Sequence, residues 1–330
     1  MSEFHLQGAF SYILTEHLLN EDNVFFIISK YHYASSQYRV TEGDCSLLKN
    51  EKFYFFYDKD DKTIDVISRE HRCSNLIYIR PMLLPLMTVP KLFRLNNFRR
   101  VSYVLIDEGL GTYRNAEFWW KTEKIGNMFV FKIKQTMKYC IEIIEKLFFI
   151  KTITKHFLFF HDKEQGLLLN KLVVDSYKEY FEYFAKEKVY KTKSILFLSN
   201  YLSRLFIDKK DIIGVYKTFI DKIFEKYPDY KIYFKPHPIE LEFFNRKTEL
   251  NNVEIISEKI SAENLLNRYE YDFIVGFDST AILTSCLFFN TNAMTMINLL
   301  NLEEIKESYR EHLTMFRNDI KNIKNIKEWE

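Results

Sequence analysis

The stretch that decides the fold is KIYFKPHP, residues 231–238. The run Tyr230–Phe234, which begins one residue before this stretch, is aromatic and β-branched and is typical of a buried β-strand. A polar Lys-Pro-His-Pro segment follows at once, at the C-terminal end of the predicted strand. Ligands of open α/β sheets bind at that edge, because loops and helix N-termini converge there. The stretch therefore predicts an α/β fold with a functional site behind this strand.

Two other segments repeat the arrangement. An Asp-Glu-Gly motif, residues 107–109, follows the apolar run Val101–Ile106, and an Asp-Ser-Thr motif, residues 278–280, follows Asp272–Phe277. Each run is rich in β-branched or aromatic residues and predicts a further strand. Together the three clusters supply a carboxylate pair, an imidazole and a hydroxyl pair, which suffice for proton transfer beside a phosphate.

Strand-like and helix-like segments alternate in both halves of the chain, which favours βαβ units and parallel sheets. The length of 330 residues suits two domains of roughly 150 residues each. We therefore expect two Rossmann-like doubly wound domains facing each other, residues 1–190 and 191–330. Predicted strands include Asn23–Ser29, Lys52–Tyr57, Leu76–Arg80, Phe157–Phe160, Ser194–Ser199, Val253–Ser257 and Ala293–Ile297, and predicted helices include Ala9–Leu19, Leu83–Phe98, Met128–Phe149, Tyr177–Lys188 (an exposed linker), Ile212–Lys226, Ser261–Leu266 and Ala281–Phe288.

The charge balance argues against nucleic acid as a partner. The net charge is +2, from 47 basic and 45 acidic residues, whereas a nucleic-acid-binding domain carries a strongly basic face. The four cysteines are far apart in the sequence, which indicates reduced thiols rather than a disulfide framework. The first residues lack a basic segment followed by an apolar one, so we expect no secretory signal, and no run of about 18 apolar residues predicts a membrane span. These features favour a cytoplasmic location.

The acidic cluster offers a general base. Crowding of Asp107 by Glu108 and partial burial would raise a carboxyl pKa toward the range that suits deprotonation of a sugar hydroxyl. Gly109 lets the backbone turn and leaves room for a ligand. The alternative is that Asp107 caps the following helix.

The histidine cluster offers a group for a departing phosphate. Pro236 and Pro238 flank His237 and fix the backbone on both sides of it. His237 could donate a hydrogen bond or a proton to a phosphate oxygen, and Lys235 would add positive charge. The alternative is a packed histidine without a chemical role.

The third cluster offers an anion site. Ser279 and Thr280 stand where a helix should begin, and the N–H groups of a first helical turn bind a phosphate. Simple N-capping by Asp278 or Ser279 is the alternative. Glu263, in the first turn of another predicted helix, is a candidate for holding ribose hydroxyls.

No metal site is predicted. Asp58-Lys59-Asp60 has the DxD form that some sugar transferases use for a divalent metal, but it lies in the all-charged segment Asp58–Lys62. We interpret that segment as the tip of a hairpin. The phosphate-binding, dinucleotide-binding and serine-hydrolase signatures GxxxxGK[ST], GxGxxG and GxSxG do not occur in the sequence.

The C-terminal tail carries apolar residues at helical spacing from Ile305 to Trp329, with a break expected near Asn318. Its basic side chains are Lys306, Arg310, Arg317, Lys321, Lys324 and Lys327. Two interpretations stay open, namely contact with the inner face of the cell membrane and packing across the two domains.

The motif set, in this order, resembles bacterial sialyltransferases. The acidic-acidic-Gly motif, the His-Pro pair, the Ser/Thr pair and the YFKPHP stretch look most like glycosyltransferase family 52, the lipooligosaccharide sialyltransferases. Gln7 resembles the early Gln-containing loop of that family. The first strand is unusually short for the family. Asn200–Phe206 lacks the acidic residue that members tend to carry, which leaves Asp208 as a further candidate for the base.

The resemblance implies a GT-B enzyme that is inverting and metal-independent. Residues 1–190 would bind the acceptor, a galactose-terminated bacterial surface glycan, and residues 191–330 the donor, CMP-sialic acid, with no further cofactor. Asp107 or Glu108 would be the base, His237 would assist departure of CMP, and Ser279 and Thr280 would hold its phosphate. Alternatives are a GT-B transferase for UDP-glucose or UDP-N-acetylglucosamine, and a non-catalytic glycan- or membrane-associated protein. A homodimer is an open alternative to a monomer.

Overall fold

The computed structural model describes residues 3–20, 23–29, 53–57, 62–72, 74–81, 98–107, 129–130, 132–133, 136–137, 140, 152–156, 171–174, 177–183, 187–206, 211–237, 240–241, 244, 250, 253–258 and 260–330. The chain divides into two compact units, Met1–Phe184 and Ala185–Glu330. Strands of both units pair in parallel throughout the described residues.

The first unit contains two parallel sheets in its described residues. Strands β1 and β2 form one, and strands β3 to β6 form the other in chain order. Its elements are α1 (Glu3–Thr15), a 3₁₀ turn (Leu18–Asn20), β1 (Phe25–Ser29), β2 (Phe53–Tyr57), α2 (Lys62–Glu70), β3 (Asn75–Pro81), β4 (Arg100–Ile106), β5 (Thr152–His156), β6 (Lys171–Val174) and α3 (Tyr177–Tyr183). The described residues between 129 and 140 are helical, as predicted for that segment.

Helix α1 is buried on all sides over residues 6–13, because eight consecutive buried residues cover more than two helical turns. Leu6, Phe10 and Ile13 are buried, and the Phe10 ring stacks on the Tyr180 ring of α3 at 6.2 Å between centroids. Tyr180 and Phe181 are buried as well. The prediction that Tyr177–Lys188 forms an exposed linking helix is therefore wrong, since α3 packs on α1.

One other sequence prediction fails in this unit. The charged segment Asp58–Lys62 does not join two strands of a hairpin, because β2 pairs in parallel with β1 and helix α2 begins at Lys62. The predicted strand Phe157–Phe160 lies outside the described residues, directly after a strand at Thr152–His156. Residues 83–97 of the predicted helix Leu83–Phe98 also lie outside them.

The described residues of the second unit contain a six-stranded parallel sheet in the order β12-β11-β10-β7-β8-β9. Its elements are β7 (Val189–Leu198), α4 (Leu202–Leu205), α5 (Ile212–Lys226), β8 (Lys231–Lys235), β9 (Val253–Ile255), α6 (Ala262–Arg268), β10 (Tyr269–Gly276), α7 (Thr280–Phe289), β11 (Ala293–Thr295), 3₁₀ turns at Ile297–Leu299 and Leu302–Glu304, α8 (Glu307–Ile320) and β12 (Ile326–Glu328). The α/β class and the parallel sheets predicted from the sequence are confirmed.

Aromatic side chains fill the core of this unit. Phe197, near the C-terminal end of β7, lies 5.5 Å from Phe234 and 6.0 Å from Phe277 between ring centroids. Helix α5 covers these strands with Tyr216 and Phe219, which share one face at i and i+3. Burial of such rings stabilises the sheet by about 1.5–3 kcal/mol per side chain, so the strand ends are held rigidly.

The C-terminal tail is not one helical stripe. Helix α8 ends at Ile320, and Ile326–Glu328 forms strand β12 beside β11. The Trp329 N–H donates to the Thr295 carbonyl at 2.8 Å, so the tail completes the sheet of this unit. Arg317 Nε lies 3.2 Å from Glu328 Oε1. Across the residues that the structure describes, no helix is long and apolar enough to cross a membrane.

Candidate functional site

The order of strands in the second unit places a crevice between β7 and β10. From β7 the chain goes to β8 and β9 on one side, and then to β10, β11 and β12 on the other. The connections thus leave β7 and β10 in opposite directions. Ligands of open α/β sheets bind at such a switch point, outside the carboxyl ends of the strands.

Behind β8, Lys235 and His237 are held by backbone groups and neighbouring strands. Lys235 is buried, and its Nζ donates to the Glu258 carbonyl at 3.0 Å. The His237 N–H donates to Ser199 Oγ behind β7. The His237 ring lies nearly parallel to the Tyr201 ring, at 13° and 5.8 Å between centroids. The turn is therefore fixed against the end of the central strand.

Burial, and secondarily the charge of Lys235, lower the pKa of His237 from 6.5 to about 4. Both effects disfavour the imidazolium. At neutral pH the imidazole is neutral and can donate a hydrogen bond, but it carries no extra proton to transfer. Of the two roles predicted for His237, hydrogen-bond donation is the one that this environment favours.

Behind β10, Ser279 caps helix α7. Its Oγ accepts a hydrogen bond from the Ala281 N–H at 3.2 Å, and Thr280 is the first helical residue. Among the contacts of the described residues, neither carboxylate oxygen of Asp278 is bonded to the helix. Oδ1 accepts from Asn200 Nδ2, and His312 Nε2 lies 2.9 Å from Oδ2. Capping and anion binding by this helix start are compatible, because both use first-turn N–H groups.

Behind β7, Ser199 and Asn200 join the other two strand ends. The Ser199 N–H donates to the Lys235 carbonyl at 3.1 Å while its Oγ accepts from His237. Asn200 holds Asp278. Sequence reasoning missed this pair, although it follows the buried run Ile195–Leu198 in the same manner as the other clusters. His312 was also missed, since it arrives from α8 with no local signal.

A buried tyrosine supports the Ser199–Asn200 segment. The Tyr216 hydroxyl donates to the Asn200 carbonyl and lies 3.3 Å from Glu240 Oε2. Burial, with the nearby Glu240 charge, raises the pKa of Tyr216 well above its usual value. The phenol therefore stays protonated and remains a donor.

Glu263 lies in a contact between two helices. It is buried in α6, and its Oε1 accepts from Thr284 Oγ1 of α7 at 3.0 Å. Burial raises the pKa of Glu263. Ser261 caps α6 by accepting from the Asn264 N–H at 3.1 Å, as predicted. One oxygen of the residue predicted to hold ribose is therefore engaged within the protein.

The predicted residues of the first unit are described in part. Asp107 directly follows β4 and is fully buried. Gln7 lies inside helix α1 with 1% of its surface exposed, so it belongs to a helix rather than to a loop. Four further residues named from the sequence, Glu108, Gly109, Asp208 and Pro238, lie outside the described residues. Within the described ranges, no group of three or more His, Cys, Asp or Glu side chains could hold a metal ion.

Similar solved structures identify the architecture. An alpha/beta-galactoside alpha-2,3-sialyltransferase from Photobacterium phosphoreum matches 99% of this chain and 96% of its own at 11% identity, with a TM-score of 0.53. MurG of Acinetobacter baumannii matches at 8% identity over 98% of this chain and 81% of its own, with a TM-score of 0.43. KpsC of Thermosulfurimonas dismutans, a beta Kdo 2,4 transferase, matches 32% of this chain and 34% of its own at 17% identity, with a TM-score of 0.24. The first similarity supports the GT-B glycosyltransferase fold.

The family follows from the sequence itself. Residues 82–298, well over half of the chain, match the alpha-2,8-polysialyltransferase (POLYST) family, and the chain belongs to that family. It is accordingly a glycosyltransferase. No curated protein matches the chain. The resemblance to bacterial sialyltransferases is confirmed in part, because the matched family is one of polysialyltransferases, and the assignment to glycosyltransferase family 52 stays a prediction. The matched residues include all three polar clusters named from the sequence.

Proposed function

We propose that the protein transfers sialic acid from CMP-sialic acid to a glycan. The observation that carries this proposal is the convergence of His237 and the α7 N-terminus at the switch point, joined through Ser199 and Asn200. A hydrogen-bond donor beside a helix start suits a phosphate monoester, which is what CMP-sialic acid releases as CMP. Membership of the polysialyltransferase family supports the same donor.

In the proposed reaction, the acceptor oxygen bonds to the anomeric carbon of sialic acid as that carbon loses its bond to the CMP phosphate oxygen, with inversion. The Asp107–Glu108 pair takes the acceptor proton. The electron pair of the broken bond remains on the phosphate oxygen. His237 donates a hydrogen bond to the phosphate, and Ser279 and Thr280 place the helix N–H groups against it.

The proposal leaves two candidates for the sugar that accepts the sialic acid. The family name points to a terminal sialic acid extended through an alpha-2,8 linkage, whereas the motif resemblance to glycosyltransferase family 52 points to a terminal galactose of lipooligosaccharide or capsule. Transfer assays with a sialylated and a galactose-terminated oligosaccharide decide between them. Contact of the basic tail with the inner membrane face, location in the cytoplasm and dimerisation stay predictions.

A thermal-shift panel of CMP, UDP and GDP tests the donor. A ligand that binds only the folded state stabilises it by about 2.7 kcal/mol at a concentration a hundred times its Kd. We expect CMP to raise the melting temperature, with UDP and GDP leaving it unchanged. A shift with UDP alone would favour a UDP-sugar transferase. No shift and no transfer with any nucleotide sugar would favour a non-catalytic protein.

A further inference from the structure

We infer that His312 is a positioning residue of the proposed donor site, which keeps the Asp278 carboxylate away from the start of helix α7. The inference rests on the proposed function, since the group protected is the CMP phosphate. His312 lies in α8, more than thirty positions after Asp278 in the sequence, so only the fold brings the two together.

An N-cap carboxylate accepts hydrogen bonds from the first-turn N–H groups of its helix. Asp278 lies one residue before the N-cap position of α7. Here the neighbouring Ser279 makes the capping bond. Asp278 instead accepts from Asn200 on one oxygen and meets His312 Nε2 at 2.9 Å on the other.

The environment makes this arrangement firm. The exposed fractions of the side chains are 14% for His312 and 5% for Asp278. The Asn200 amide and the His312 ring both contact a carboxylate that is shielded from water, where polar contacts are stronger than in solvent. His312 and Asn200 reach Asp278 from α8 and from the end of β7, so the carboxylate is held between two separate elements.

The position of the Asp278 carboxylate matters because the proposed phosphate site lies at the start of α7. A carboxylate released beside that site would repel the phosphate by like charge and would compete with it for the helix N–H groups. Held by His312 and Asn200, Asp278 stays away from that helix start. His312 thus acts through Asp278 and does not itself need to touch the substrate.

The test measures Kd for CMP and for cytidine by calorimetry on the full chain. In His312→Ala, CMP should bind about tenfold more weakly, while cytidine, which lacks the phosphate, should bind as in the wild type. His312→Gln should recover most of the CMP affinity, because its amide nitrogen can replace Nε2. Asp278→Asn, and the double variant Asp278→Asn/His312→Ala, should bind CMP about as tightly as the wild type.

Four outcomes would overturn the inference. They are unchanged CMP binding in His312→Ala, equal weakening of CMP and cytidine, no recovery in the double variant, and weaker CMP binding in Asp278→Asn alone. The measurement on Asp278→Asn alone tests the inference even if His312→Ala does not fold. Failure of the wild type to bind CMP is a different result, which would overturn the proposed donor together with this inference.

Discussion

The low pKa of His237 predicts a specific acid sensitivity of the fold. In the unfolded chain a histidine takes up its proton near pH 6.5, whereas in the native protein the pKa of His237 is about 4. Between these values the unfolded state binds more protons than the native state, so stability falls as the pH falls from 6.5 to 4 and levels off below. At 1.36 kcal/mol per pKa unit, protonation of this group lowers the free energy of unfolding by about 3 kcal/mol between pH 6.5 and pH 4.

Replacing His237 by Asn removes the titrating group and keeps a neutral side chain with an N–H donor. Urea unfolding of both proteins by circular dichroism, from pH 8 to pH 4, measures the effect. The free energy of unfolding should fall more steeply with acid in the wild type, and the difference between the curves should change by about 3 kcal/mol below pH 6.5. Above pH 7 the difference should be constant, which is an internal control. Parallel curves down to pH 4 would refute the buried, neutral state of His237.

Three further substitutions test the supports of the site. Tyr216→Phe should lower the free energy of unfolding by about 1–3 kcal/mol, because it leaves the Asn200 carbonyl and the buried Glu240 with fewer partners; an unchanged urea midpoint would contradict this. Ser279→Ala should cost about 1 kcal/mol as a lost N-cap, while Ser279→Asp should keep that stability and weaken CMP binding by charge repulsion. Gly276→Ala should destabilise by about 1–3 kcal/mol, because its Cβ would lie 3.0 Å from the Leu198 carbonyl; a melting temperature equal to that of the wild type would show that the strands can separate.

The sequence predicts the second unit well where the signal is local. Helix α5 begins and ends where the pattern of apolar residues places it, and strand β8 differs from the predicted Tyr230–Phe234 by one residue at each end. Strand β7 begins earlier than predicted, at Val189, because its exposed first residues pair with Tyr269–Tyr271 of β10. Pairing between distant segments is invisible in a local pattern. The same reason explains β12, whose residues have helical spacing but join the sheet edge.

The residues of the candidate site likewise fall into those with a local signal in the sequence and those that only the fold brings to the site. Lys235, His237 and Ser279 were predicted because each follows a strand with a strong apolar signal. Ser199 and Asn200 carry that signal too and could have been found by applying the rule to β7. His312 could not, since only packing of α8 brings it within 2.9 Å of Asp278.

Sialyl transfer assayed with radiolabelled CMP-sialic acid tests the central claim most directly. The wild type should transfer label to a sialylated or galactose-terminated oligosaccharide. His237→Ala should lose about a hundredfold or more in turnover, in the range expected for loss of a positioned donor to developing charge. His17→Asn is the matched control, because His17 is an exposed histidine with φ of 54°, a conformation that Asn tolerates, and it should retain full activity. Wild-type turnover in His237→Ala, or no transfer by the wild type to either acceptor, would contradict the account.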